Sequence, residues 1–332
     1  MWPLYGVHKE AFLKAVWLEN KTLIYRDNLP LPEPLEGEAL VKVRQAGICG
    51  TDLELLKGYY PFSGIPGHEF VGEIVQAPKQ PDRIGERVVG EINVNCGSCP
   101  SCLAGRPNHC EKRTVLGIKH RDGAFAEYVC LPLANLITVP DVVSDDAAIF
   151  TEPLAAALEI QKQIKIESPE RVLVLGAGRL GQLIAQSLVH TGCGLSVVAR
   201  YANQRKLLAQ LNIACIAEYT PAAGLFDIVI EATGSTDGFI AARGAVRPGG
   251  TIVLKSTYPG DVQVNLSSIV VDEVTMVGSR CGPLAPALRL IATQMLDPTV
   301  LIEGRYSLKA VQNAFEHARR PGTLKVIFQI SE

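Results

Sequence analysis

The 332-residue sequence has no surplus of either charge: 32 Lys plus Arg stand against 34 Asp plus Glu, a formal net charge of -2. Without a basic excess there is little to neutralise a run of backbone phosphates, which argues against nucleic acid as a partner. No apolar run reaches the roughly 20 residues that cross a bilayer, and the start of the chain lacks a basic segment followed by an apolar core. These absences predict a cytoplasmic protein without a membrane anchor. Internal repeats and low-complexity segments are missing as well. The lack of a secretory signal also bears on the nine cysteines. In a chain this long it argues for reduced thiols, used in packing or metal binding, over disulfides.

What is present is apolar substance: 47% hydrophobic residues over this length suffice for two domains. Residues 1–12 show no period and read as an extension or arm. From Leu13 onward apolar and polar residues alternate, and Val41 and Val43 alternate with Lys42 and Arg44 as in a half-buried strand. Short strands with Gly and Pro turns continue to about Pro140 and predict an all-β unit. After Asp145 continuous apolar runs at 172–175, 195–199, 227–230, 251–254 and 275–277 alternate with helical patterns, the first helix over 179–190. Strand alternating with helix predicts an α/β fold with a doubly wound parallel sheet. The tail predicts a helix over 308–319 with Ser307 as N-cap, a break at Pro321-Gly322 and a last strand over 324–330.

Gly176-Ala177-Gly178-Arg179-Leu180-Gly181 follows the first apolar run and opens a helix, the context a dinucleotide fingerprint requires. Gly176 allows the turn, Gly178 lets a pyrophosphate approach the backbone, and Gly181 lets helix pack on strand. A glycine-rich turn without ligand is the plainer alternative. An Asp or Glu about 20 residues on would hold a ribose 2′-hydroxyl. The second strand ends instead in Ala199-Arg200, with Arg205 and Lys206 nearby, which suits a 2′-phosphate and predicts NADP(H) over NAD(H). Arg200 as a solvated surface residue stays open at this point.

Cys96, Cys99, Cys102 and Cys110 offer four thiolates from one short loop, the donor set of a closed structural zinc; an iron-sulfur cluster is the alternative. Cys49, His68 and Glu152 are scattered. Together they would leave a fourth position open, as a catalytic zinc needs, while each alone reads as a core thiol, a turn histidine or a helix-start carboxylate. His8, His109, His120, His190 and His317 lack a ligand context and read as structural or exposed.

These motifs, in this order, resemble the zinc-containing medium-chain dehydrogenase/reductase superfamily, particularly its polyol and threonine dehydrogenase branch. The resemblance runs from about Leu13 to Ile330 and includes Gly47 to Asp52, Gly67-His68-Glu69, Gly85-Glu86-Arg87-Val88, the four-cysteine loop, Glu152-Pro153-Leu154, the glycine fingerprint, Ala232-Thr233-Gly234 and Arg247-Pro248-Gly249-Gly250. It implies a GroES-like β-barrel catalytic domain over 1–150, completed by 290–332, and a Rossmann NADP(H)-binding domain over 151–289. It implies Cys49, His68 and Glu152 as ligands of a catalytic zinc, Glu69 as a carboxylate beside it, Asp52 as the group orienting His68 and Thr51 as the hydroxyl passing the alcohol proton outward. The cofactor would contact Gly176, Gly178, Arg179, Leu180, Gly181, Ala199, Arg200, Arg205 and Thr233. The expected protein is a homodimer or homotetramer with two zincs per chain that moves a hydride between NADP(H) and an alcohol or polyol and its aldehyde or ketone. Two other functions use the same fold, a zinc-independent quinone or enone reductase and a non-catalytic NADP(H)-binding sensor. The complete Cys49, His68 and Glu152 set argues against both.

Overall fold

Asn20 and Lys21 both take left-handed backbone, with φ of 50° and 61°, the pair of values that lets a two-residue turn match the twist of a hairpin. They join the antiparallel strands Leu13–Glu19 and Thr22–Leu29. The computed structural model describes residues 12–219, 224–257 and 261–331, so the expected arm lies outside the described residues apart from Phe12, as does His8. The chain divides into two units.

The first unit holds the described residues up to Ile149, with Gly304–Ala318 and the chain from Val326. The strand Glu38–Gly47 lies at its centre, antiparallel to Lys325–Gln329, Glu69–Gln76 and Tyr128–Pro132. Arg87–Gly90 and Leu136–Thr138 extend the sheet beyond Glu69–Gln76, and Ile302–Tyr306 extends it beyond Lys325–Gln329. Val41 and Val43 are fully buried while Lys42 and Arg44 are half-buried, as the alternation requires. Phe125 meets Phe328 and Phe315 edge-on, with centroids 5.0 and 6.1 Å apart, which ties the C-terminal strand into this core.

The second unit holds Phe150–Glu303 and Arg319–Lys325. Its six parallel strands lie in the spatial order Ala214–Ile216, Gly194–Val198, Arg171–Leu175, Phe226–Glu231, Val246–Leu254, Thr275–Gly278. In chain order this is three-two-one-four-five-six, the doubly wound arrangement, with its switch point beside Arg171–Leu175. The three-residue strand Ala214–Ile216 is too short to carry a readable period. Within the unit Gly282 packs against the Ala155 backbone and helix Leu284–Ala292 lies on helix Thr151–Gln163. Ser307 makes no side-chain cap bond: a tight 3-10 turn, Leu308–Ala310, precedes the helix Val311–Arg319. Among the described residues no helix is long and apolar enough to cross a membrane.

Candidate active site and metal centres

The pairing of Gly47 with Glu69 across the central strands makes Cys49 and His68 leave the same end of the first unit's sheet. Cys49 sits at the N-cap of helix Gly50–Lys57, and its own N–H donates to Asp52 Oδ2 at 2.8 Å. Ile48 N–H donates to the Val326 carbonyl at 2.9 Å, so the C-terminal strand holds this corner too. The other Asp52 oxygen faces His68 Nδ1 at 3.4 Å, both side chains being buried, which leaves Nε2 for ligation. Burial works against a charge on His68, and the facing Asp52 carboxylate and Cys49 sulfur outweigh it, holding the ring well above its ordinary range. The ligand atoms of Cys49, His68 and Glu69 all lie within 4.8 Å of one another. A soft sulfur, an imidazole and a buried carboxylate converging this closely fit a divalent zinc. Thr51 Oγ1 stands 3.8 Å from Cys49 Sγ. Glu152 is in the second unit, half-buried in the first turn of helix Thr151–Gln163, so the group brought together within one unit is Cys49, His68 and Glu69.

The four-cysteine loop gathers its four sulfurs in one place. Cys99 Sγ lies 3.5 Å from Cys102 Sγ, Cys110 Sγ lies 3.5 Å from Cys96 Sγ, and all four fall within 4.8 Å. A tetrahedron with arms of ~2.3 Å has edges of about 3.8 Å, so zinc fits. Hydrogen bonds from Ser98 and from the Cys99 backbone hold the Cys96 thiol down to about 6, whereas burial and neighbouring sulfurs push Cys102 up to about 12. Sulfurs this close ionise together only around a cation.

In the second unit the glycine turn lies at the switch point. A side chain on Gly176 would press on the Ala232 carbonyl, one on Gly181 would overlap the Gly176 carbonyl, and one on Gly178 would meet nothing within 4 Å. That open space sits at the start of helix Arg179–Leu188, which has no side-chain cap, so its first amides can take a pyrophosphate. Arg179 Nε donates to the Leu324 carbonyl at 2.6 Å, and Leu180 is half-buried. Thr233 donates from both N–H and Oγ1 to the buried Glu231 carboxylate, at 2.7 and 2.6 Å. Ala199 is buried, Arg200 is exposed, and Arg205 Nη1 donates to the carbonyls of Ala199 and Arg200 at 2.9 and 2.7 Å. His190 Nε2 pairs with the Met295 carbonyl and His317 Nδ1 with the Tyr306 hydroxyl.

Two buried cations escaped the sequence reading. Lys255, which directly follows an apolar strand, donates to the carbonyls of Ala156 and Arg280 at 2.7 and 2.8 Å and to Ser279 Oγ at 3.3 Å; burial pushes its ammonium down to about 8. Lys325 is buried with its ammonium 5.5 Å from the centre of the Phe150 ring. A single lysine beside an apolar run carries no periodic or motif signal, which is why neither was legible.

Residues 35–141 match the alcohol dehydrogenase GroES-like domain family and residues 159–254 the shikimate / quinate 5-dehydrogenase family. L-galactonate-5-dehydrogenase of Escherichia coli (strain K12) is 32% identical over 321 residues, covering 90% of this chain and 92% of that protein. The chain belongs to the zinc-containing medium-chain dehydrogenase/reductase family. L-threonine 3-dehydrogenase of Edwardsiella ictaluri (strain 93-146) is 29% identical to this dehydrogenase, covering 93% of it and 96% of the relative. A solved zinc-binding dehydrogenase from Sinorhizobium meliloti 1021, bound to NADP, matches it with a TM-score of 0.88 at 32% identity, over 96% of this chain and 99% of the other. The dehydrogenase is thus a zinc- and nicotinamide-dependent oxidoreductase of α/β fold, with a GroES-like domain and a Rossmann-type parallel sheet.

Proposed function

We propose that this dehydrogenase interconverts an alcohol or polyol with its aldehyde or ketone, with NADP(H) preferred over NAD(H). The observation that carries the reading is the convergence of Cys49, His68 and Glu69 within 4.8 Å. Cys49 and His68, with Glu69 beside them, would hold a catalytic zinc, and Cys96, Cys99, Cys102 and Cys110 a structural one, two per chain. Bound zinc supplies a Lewis acid and the nicotinamide a hydride acceptor or donor. Asp52 fixes the His68 ring so that Nε2 faces the site. The buried Glu69 carboxylate balances cationic charge there. Thr51 Oγ1 accepts the alcohol proton and passes it outward. In the other unit the amides after Gly178 bind the pyrophosphate, and Arg200 takes the place a carboxylate would hold against a 2′-hydroxyl. We place the protein in the cytoplasm, as a homodimer or homotetramer; NADPH, commonly kept reduced in cells, favours carbonyl reduction.

Turnover on a panel of polyols, sugar acids and simple alcohols, followed through NADPH and NADH, tests the reading. The wild type is expected to turn over with NADP+ and Cys49→Ser to lose about a thousandfold, the several kcal/mol a Lewis acid contributes. Unchanged turnover in Cys49→Ser would point to a metal-independent reductase. Tight NADPH binding with no turnover on any substrate would point to a sensor.

A further inference from the structure

The segment Arg319–Lys325 belongs to the second unit and is fastened to both ends of the dinucleotide machinery. Arg179, the first residue of the phosphate-facing helix, donates to the Leu324 carbonyl at 2.6 Å. Asn203, just past the end of the second parallel strand, donates through Nδ2 to the Gly322 carbonyl at 3.0 Å and to Glu303 Oε1 at 2.9 Å. Glu303 Oε2 in turn accepts the Leu324 N–H at 2.9 Å. The Thr323 N–H donates to the Arg320 carbonyl at 3.1 Å, closing a turn around Pro321-Gly322. Gly322 has φ +86° and lies flat on Tyr201: a Cβ there would stand 2.9 Å from the ring, so only glycine seats the turn this closely.

This turn therefore rests beside Arg200, the neighbour of Tyr201. Arg319 and Arg320 are exposed on it, and neither side chain forms a hydrogen bond or ion pair among the described residues. Two residues of chain span at most about 7 Å, which keeps Arg320 within side-chain reach of the end of the second strand. A 2′-phosphate carries close to two negative charges and is bound best by paired guanidinium forks. Arg200 supplies one. Arg205 is an incomplete second, since its Nη1 is committed to the carbonyls of Ala199 and Arg200.

We infer that Arg319 and Arg320, carried on the Pro321-Gly322 turn, form the second half of the 2′-phosphate site and are specificity determinants for NADP(H). The inference rests on the NADP(H) reading above. It predicts that the cofactor preference is set jointly by the second strand's end and by a segment more than 100 residues later in the chain.

The test uses the full chain with NADPH, NADH, 2′,5′-ADP and 5′-ADP as probes, titrated by calorimetry. Each of Arg319→Gln and Arg320→Gln is expected to weaken NADPH and 2′,5′-ADP by about tenfold, the double variant more, while NADH and 5′-ADP change less than about twofold. The salt dependence of NADPH binding should flatten in the double variant. If the double variant binds NADPH like the wild type while Arg200→Gln weakens it, the inference falls and the NADP(H) reading stands. Equal weakening of NADPH and NADH in the double variant would also overturn it. If the wild type binds 2′,5′-ADP no tighter than 5′-ADP, the NADP(H) reading itself falls and takes the inference with it.

Discussion

Lys255 is a single side chain of the second unit whose charge the fold alters. Its ammonium is buried and pushed down to about 8, against 10.5 for an ordinary lysine, with burial the leading cause. Between these two values the unfolded chain holds a proton that the folded chain has shed, so stability rises with pH across the window from about 8 to 10.5. The rise is on the order of 3 kcal/mol, at 1.36 kcal/mol per pKa unit. Lys255→Met is expected to lose that rise, measured as urea unfolding of the second unit at the two ends of the window. An unchanged slope in the variant would assign the titration elsewhere. At the same scale, the proposed zinc donors were legible in the sequence as residue types, Cys49 and His68 in glycine-flanked motifs. Their closeness was not, because it follows from the Gly47–Glu69 register, which no local pattern announces.

Among elements, the four-cysteine loop stands apart because it has little apolar substance: Leu103 is 76% exposed, and the helix Pro100–Leu103 buries none of its residues. The proposed structural zinc would then substitute for a core. Chelation, or Cys102→Ser, is expected to open the loop between residues 95 and 113 to limited proteolysis while far-ultraviolet dichroism of the sheets stays unchanged. Protection that survives chelation would show that the loop holds itself. The glycine turn gives a second prediction: Gly181→Ala drives a Cβ into the Gly176 carbonyl and should abolish NADPH binding with a stability loss of about 1–3 kcal/mol, read by calorimetry and thermal unfolding. Wild-type affinity in that variant would contradict the helix-on-strand packing argued above. Elements with long periods, such as Arg171–Leu175 and Arg179–Leu188, stand close to where the sequence put them. Ala214–Ile216 did not show, being too short, nor did the return of Arg319–Lys325 to the second unit, which is held by contacts distant in sequence.

For the molecule as a whole, the outer strand Thr275–Gly278 leaves one edge of the parallel sheet unpaired among the described residues, and the helix just before it, Leu266–Val271, exposes Leu266 at 65%, Val270 at 74% and Val271 at 78%. An open strand edge beside exposed apolar side chains is a natural self-association surface. Val271→Lys with Met276→Lys is expected to give a monomeric mass by light scattering at micromolar concentration where the wild type is a dimer or tetramer; a wild type already monomeric would remove the proposed assembly. Two distinct metal centres are what the proposed chemistry requires, and metal content per chain, measured on wild type and Cys49→Ser purified in parallel, tests this most directly. Two zincs falling to one, with the four-cysteine loop still protected, is the predicted result. One zinc in both proteins would contradict a catalytic centre at Cys49 and His68.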